Sequence, residues 1–298
     1  MIQRLTTMFL FLIVSFFWGT TFIAMKVAVN TIPPIFATSI RFLLSAPILI
    51  VISYYFHTPL LFPVKKKIFQ LCICIFYFII PFSLMLYSSQ YVNSTISSII
   101  FSTTPSMVLL FNKLFFKKKI YFLQNLGLIL VWVTLFVILY TEIQLKSVEI
   151  LKGVFFLILS MVSHAIIYLY YENKYRNISI FTFNTIPSLC SGLFLLFISF
   201  LYEHPSIKHF SNISIFALIY LGLFSGNIGI LTYFYLQKRV NVINSLIVFF
   251  LFPLITLFLD YYIYGNNLDN FTISFIILLM FSVLLTVIPI HFIYIKKL

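Results

Sequence analysis

Ten apolar runs follow one another along this chain, each about twenty residues or longer and joined by short polar loops. By hydropathy they fall at about 6–29, 34–56, 68–90, 94–116, 121–141, 151–171, 179–202, 213–236, 243–264 and 271–294. About 20 apolar residues in a helix span the hydrocarbon core of a bilayer. The pattern therefore predicts an all-α integral membrane protein with ten transmembrane helices. Composition agrees: 62% of the 298 residues are hydrophobic, 8% are charged, and mean hydropathy is +1.11. A soluble domain carries roughly a quarter charged residues, which excludes a water-soluble monomer, and so much apolar surface excludes disorder. The first run is longer than a signal-peptide core of about 7–15 residues and lacks a convincing A-x-A site. It is expected to remain as the first helix.

Net charge is +13, and its placement sets the orientation. With the N-terminus inside, the inner segments hold Arg4, Lys65, Lys66, Lys67, Lys113, Lys117, Lys118, Lys119, Lys174, Arg176, Lys238, Arg239, Lys296 and Lys297. The outer loops hold only Lys146, Lys152 and Lys208. Basic residues favour the cytoplasmic side, so both termini are expected in the cytoplasm of a multi-pass protein of the inner (plasma) membrane. No loop is long enough for a nucleic-acid-binding domain, so the expected partners are the lipid bilayer and a small-molecule solute, with no nucleic acid. Cys72, Cys74 and Cys190 lie in apolar runs, and core packing accounts for them.

Shifting the chain on itself by 148 residues pairs Tyr87 with Tyr235, Val92 with Val240, Asn93 with Asn241 and Ser97 with Ser245. The same shift pairs Ile99 with Ile247, Phe101 with Phe249, Pro105 with Pro253 and Leu109 with Leu257. Asn93, Ser97, Phe101, Pro105 and Leu109 are four apart and share one helix face. The expected organisation is two five-helix repeats, 1–142 and 147–298. Five is odd, so the second repeat enters the membrane inverted. Inverted repeats are a structural basis of alternating access around a central site.

The run Trp18-Gly19-Thr20-Thr21-Phe22 reaching Lys26, then Pro33-Pro34 and Arg41-Phe42-Leu43, then Ser94 through Pro105, resembles the EamA-type drug/metabolite transporters. Gly222 through Tyr235 and Ser245 through Pro253 repeat the pattern in the second half. The resemblance covers essentially the whole chain. It implies a ten-helix fold of two inverted repeats and transport of small metabolites, often export of amino acids or related compounds. The chain departs from the family where Lys117-Lys118 and Gly265-Asn266 stand in place of a Gly-Glu pair, and His164-Ala165 in place of Trp-Ala.

Candidates for the solute path are Trp18, Thr21, Tyr87, Ser97, Ser98, Ser102, His164, Tyr235 and Ser245. Two readings stand for the serines. Small polar residues allow close helix approach and hydrogen bonding in lipid, or they line the path. Pro105 and Pro253 each free a helical carbonyl, as a structural kink or as a paired gate. Lys26 and Arg41 lie toward the outer ends of the first two helices, either snorkelling to the interface or forming a positive vestibule for a carboxylate or phosphate. His164 is an ionisable group at depth, either a packed, hydrogen-bonded histidine or a functional one. Asp260 near the outer end of the ninth helix is expected to pair with a basic residue.

A secondary transporter is the first functional reading. A membrane-embedded enzyme and a non-transporting scaffold are the alternatives. The chain holds no H-E-x-x-H, no G-x-S-x-G and no Walker A loop, so no catalytic residue, metal or cofactor is expected. A reporter-fusion map tests the orientation. Fusions near Lys65, Lys118 and Lys238 are expected to report a cytoplasmic location, and any one of them outside contradicts the inverted arrangement.

Overall fold

The computed structural model describes residues 2–145, 149–240, 245–265 and 269–287, and among these there is no β-strand. Among the described residues nine helices are long and apolar enough to cross a membrane. They are α1 (Leu5–Ala28), α2 (Pro34–Tyr55), α3 (Val64–Ser88), α4 (Ser94–Phe116), α5 (Phe122–Glu142), α6 (Ile150–Tyr175), α7 (Ile180–Tyr202), α8 (Asn212–Gln237) and α10 (Asn270–Val287). A shorter apolar helix, α9 (Val248–Tyr264), completes the ten. The expected start of α9 at 243 lies outside the described residues; Ser245 is helical, a turn follows at 246–247, and the helix runs on from Val248. Asn241 of the repeat stripe, Lys146, Lys296, Lys297 and the last residues of the expected tenth helix lie outside the described residues. Helix α3 begins earlier than hydropathy suggests, through a 3₁₀ turn at Val64–Lys66, and α6 continues to Tyr175.

The ends of the helices follow local chemistry. Asn93 opens α4 by accepting the Ile96 amide at 2.8 Å. Ser211 opens α8 by accepting the Ser214 amide at 3.2 Å. Each satisfies a donor that the first turn leaves without a partner. Pro34 occupies the first turn of α2, where a missing N–H costs nothing, and Glu203 accepts the Ile35 and Phe36 amides of that turn, each at 2.8 Å. A carboxylate there also meets the positive end of the helix dipole. Helices α4 and α9 both finish on a left-handed residue, Lys117 (φ 51) and Gly265 (φ 65), which are 148 apart.

The main packing pairs are α2 with α7, α5 with α10, α4 with α9, α1 with α9, α4 with α6, α1 with α8, α3 with α6, α2 with α8, and α3 with α7. Exchanging each helix for the one five places along returns this same set. Several glycines allow close crossings, Gly19 and Gly222 among them. A Cβ on Gly19 would lie 2.8 Å from the Phe252 carbonyl oxygen, and one on Gly222 would lie 2.8 Å from Leu44 Cβ. Thr256 Oγ1 donates to the Gly19 carbonyl at 2.8 Å across the first of these crossings.

The two ends of the bundle differ in charge. At one end Lys118 Nζ donates to Asn173 Oδ1 at 2.7 Å, and Lys66 Nζ sits 5.4 Å from the Tyr175 ring centre. These contacts gather the basic loops that join α2 to α3, α4 to α5, and α6 to α7. The opposite end carries Glu149, Glu203 and Asp269.

Candidate solute cavity

Three of the described helices widen to π geometry, α6 at its end over Tyr171–Tyr175 and two others beside the centre of the bundle. Helix α3 widens to a π-helical stretch at Cys74–Ile79, and α8 does so at Leu221–Ile228. A shift of 148 residues carries the first stretch inside the second. Such widening misaligns backbone groups, and in a membrane they must be satisfied by protein. Side chains from neighbouring helices do this. Ser191 Oγ donates to the Cys74 carbonyl at 3.2 Å, Ser163 Oγ to Phe76 at 2.5 Å, and Ser160 Oγ to Pro81 at 2.9 Å. His164 Nε2 lies 2.9 Å from the Tyr77 carbonyl; a carbonyl only accepts, so Nε2 carries the proton. In α8, Asn227 Nδ2 donates to the Gly222 carbonyl at 3.1 Å and Oδ1 accepts from Ser45 at 2.6 Å.

Between these stretches lies a cavity of about 330 Å³, walled by α1, α2, α3, α4, α6, α8 and α9 and by the end of α10. Its volume sits near the lower end of the roughly 300–1,000 Å³ typical of small-molecule sites. The wall is mainly aromatic. The Trp18 ring centre is 4.7 Å from Tyr233 and 5.6 Å from Phe249. The polar groups converge at mid-depth. Arg41 Cζ lies 4.7 Å over the Phe82 ring, and the His164 ring packs 5.0 Å from the same Phe82 and 4.7 Å from Tyr77.

The cavity is closed toward the acidic end in three layers. Phe22 stacks on Phe252 at 5.7 Å and meets Phe101 at 5.8 Å, and all three are buried. Beyond them Thr95 Oγ1 donates to Asp260 Oδ2 at 2.8 Å, which ties α4 to α9. Outermost, Lys26 Nζ sits 5.2 Å from the Tyr264 ring centre and ties α1 to α9. Toward the basic end the wall continues through Asn112, Tyr168, Glu172, Phe234 and Val287, near the last turns of α4, α6, α8 and α10. Glu172 there lies 3.8 Å from Arg176 and its side chain is 28% exposed.

Of the residues singled out from the sequence, Trp18, Thr21, Arg41, Pro105 and His164 line the cavity. Thr21 is hydrogen-bonded to Ser225. Tyr87 and Tyr235 do not line it, being 39% and 54% exposed on the outside of the bundle. Their inward neighbours are Met85 and Tyr233, two residues away. Two residues along a helix turn about 200°, so an error of two reverses the face. Ser97, Ser98 and Ser102 are buried but point back to their own helix, donating to Asn93, Thr95 and Ile99 carbonyls at 2.9, 2.7 and 2.7 Å. None of the three is among the lining residues. Ser245 is buried behind the wall, 3.5 Å from the Tyr233 hydroxyl. Pro105 begins a new helical segment after a break at Thr103, whereas Pro253 is buried within an uninterrupted α9 and is not a lining residue. Lys26 and Asp260 belong to the closed end rather than to the wall. Sequence reasoning missed the π stretches, Tyr77, Phe82, Ser225 and Tyr233. The 148-residue shift would have flagged the paired positions of the stretches, but no residue pattern marks their geometry.

The EamA-like transporter family matches this chain twice, over residues 5–140 and 151–288. This protein belongs to the EamA-like transporter family. Among its relatives is an uncharacterized transporter in the trpA 3′ region of Buchnera aphidicola subsp. Schlechtendalia chinensis. It is 53% identical over 97% of this chain and 95% of its own. Protein PagO of Salmonella typhimurium is 41% identical over 96% of this chain and 94% of its own. A solved crystal structure overlays with a TM-score of 0.69 at 12% identity, covering 95% of this chain and 97% of that one. At that identity it shows the fold alone. The family assignment and the ten apolar helices make this EamA-like protein a multi-pass membrane transporter.

The geometry separates wall from exterior. Tyr233→Ala is expected to lower solute flux at least tenfold at equal protein level. Tyr87→Ala and Tyr235→Ala are expected to stay within about twofold of the parent. Radiotracer flux in vesicles checks this once a solute is in hand, and equal loss in all three contradicts the assigned wall.

Proposed function

We propose that this protein is a secondary transporter that moves a small polar metabolite across the inner membrane by alternating access, with efflux as the expected direction. The observation that carries the reading is a central cavity closed by three layers at one end and walled through to the helix ends at the other. On the orientation expected from the basic loops, with both termini cytoplasmic, this is an inward-facing state. Solute enters from the cytoplasm and settles among Trp18, Arg41, His164 and Tyr233. Release requires the outer layers between α1, α4 and α9 to part while the inner ends of α4, α6 and α8 converge.

Several features support two inverted halves. The main packing pairs are unchanged when each helix is exchanged for the one five places along. Left-handed residues end α4 and α9 at equivalent positions, and π stretches occupy equivalent parts of α3 and α8. A structure with two nearly equivalent halves has two nearly equivalent shapes, and exchange between them moves the opening from one face to the other.

The test is a comparison of metabolites in medium and cells, with and without expression of this chain. A Trp18→Ala, His164→Ala double variant at matched abundance is the control. The proposal expects at least one solute to shift with the parent and not with the variant. Equal shifts would remove the site from the account, and no shift in several hosts would favour a scaffold.

A further inference from the structure

We infer that Arg41 holds the anionic group of the transported solute, and that the cavity selects small organic anions with a flat apolar body over zwitterions. The inference rests on the cavity being the solute pathway. Arg41 is 6% exposed, yet it lines the cavity, and its Nη1 has no hydrogen-bond partner among the described residues. A buried donor without a partner is costly, and a guanidinium charge more so. The Phe82 ring covers one face of the guanidinium at 4.7 Å. That leaves the in-plane N–H edge as the donor surface, the geometry that takes a carboxylate, sulfonate or phosphate oxygen pair.

The charges along the wall exclude the simplest alternative. Among the described lining residues Arg41 is the one Lys or Arg and Glu172 the one carboxylate. Glu172 lies eight residues beyond His164 along α6, roughly 12 Å at 1.5 Å per residue, and is engaged with Arg176. An amino acid bound through its carboxylate would place its ammonium beside Arg41, a like charge, with no carboxylate at that depth. An anion meets no such penalty. The rest of its body faces Trp18, Tyr77, Tyr233 and Phe249, a wall of ring faces suited to a flat apolar group.

Trp18 provides the readout. The chain has two tryptophans, so Trp132→Phe leaves Trp18 as the single reporter in full-length protein. Benzenesulfonate, benzenesulfonamide and phenylalanine are titrated against its fluorescence. The first is a permanent anion, the second its neutral counterpart, the third a zwitterion. The expected result is benzenesulfonate binding at least tenfold tighter than the other two. Adding Arg41→Gln is expected to abolish that preference while leaving benzenesulfonamide affinity within about twofold, which shows that the variant is folded. Equal affinities, tighter phenylalanine binding, or no benzenesulfonate binding by the parent overturns the inference without any variant being needed. Counterflow of the same probes in proteoliposomes separates the two layers of the argument. Benzenesulfonate binding without counterflow keeps the anion site and sinks the transport reading. Phenylalanine binding and counterflow without benzenesulfonate keeps transport and sinks the anion site.

Discussion

Backbone hydrogen bonding without water governs this molecule. Inside a bilayer every amide must find its partner within the protein, so an open chain crosses as a helix. Departures from the helix are permitted only where other protein groups repair them. Among the described residues they include Cys74–Ile79 in α3, Leu221–Ile228 in α8 and the Thr103 break in α4, all beside the cavity, and Tyr171–Tyr175 at the end of α6. Each repair recruits a polar side chain from the same or a neighbouring helix. Ser163 and His164 on α6 hold the carbonyls of Phe76 and Tyr77, and Thr104 Oγ1 takes the Phe101 carbonyl at 2.5 Å. Widening the helix and ringing the gap with hydroxyls are therefore one structural event. It turns a packed bundle into one with a polar centre.

That centre accommodates an unusual charge. An arginine within a transmembrane helix costs up to about 2.5–3.5 kcal/mol on insertion scales, the figure for the helix centre. Arg41 offsets part of this through the Phe82 ring, but a cation over an aromatic face supplies only about 0.5–2 kcal/mol. Lys26 avoids the problem by lying at the closed end, half-buried and over Tyr264. The two cations look alike in the sequence, fifteen residues apart and each toward the outer end of its helix. They differ in what surrounds them. Aromatic layers separate Lys26 from the cavity, while Arg41 faces into it.

The same contrast explains what could be read in the sequence. Span positions, basic loops and family follow from averages over many residues, and α1 to α8 agree with hydropathy to within a few residues. Side-chain direction depends on helical phase, which a shift of one or two residues reverses. Trp18 and His164 line the cavity, while Tyr87 and Tyr235 belong to the exterior and Tyr233 to the wall. The serine row on α4 was open to two readings because a hydroxyl serves equally as lining or as a donor to its own helix. Buried against neighbouring helices, Ser97, Ser98 and Ser102 take the carbonyls three or four residues back. The π stretches carry no residue signature, since i to i+5 and i to i+4 bonds alike join backbone N–H and carbonyl groups that nearly every residue supplies.

The central claim is that one cavity opens to each side of the membrane in turn. Cysteine accessibility from the two faces tests it most directly, in a background where Cys72, Cys74 and Cys190 are replaced by serine. Phe234→Cys near the basic end is expected to react with a membrane-impermeant thiol reagent from the cytoplasmic face. Met25→Cys, behind the aromatic layers, is expected to react from the outer face, and at a slower rate than Phe234→Cys from within. Locking α4 to α9 at the outer end, through Thr95→Cys with Asp260→Cys, is expected to abolish outer labelling and leave inner labelling intact. Met25→Cys that never reacts from outside, or reacts equally well with the outer end locked, contradicts alternating access.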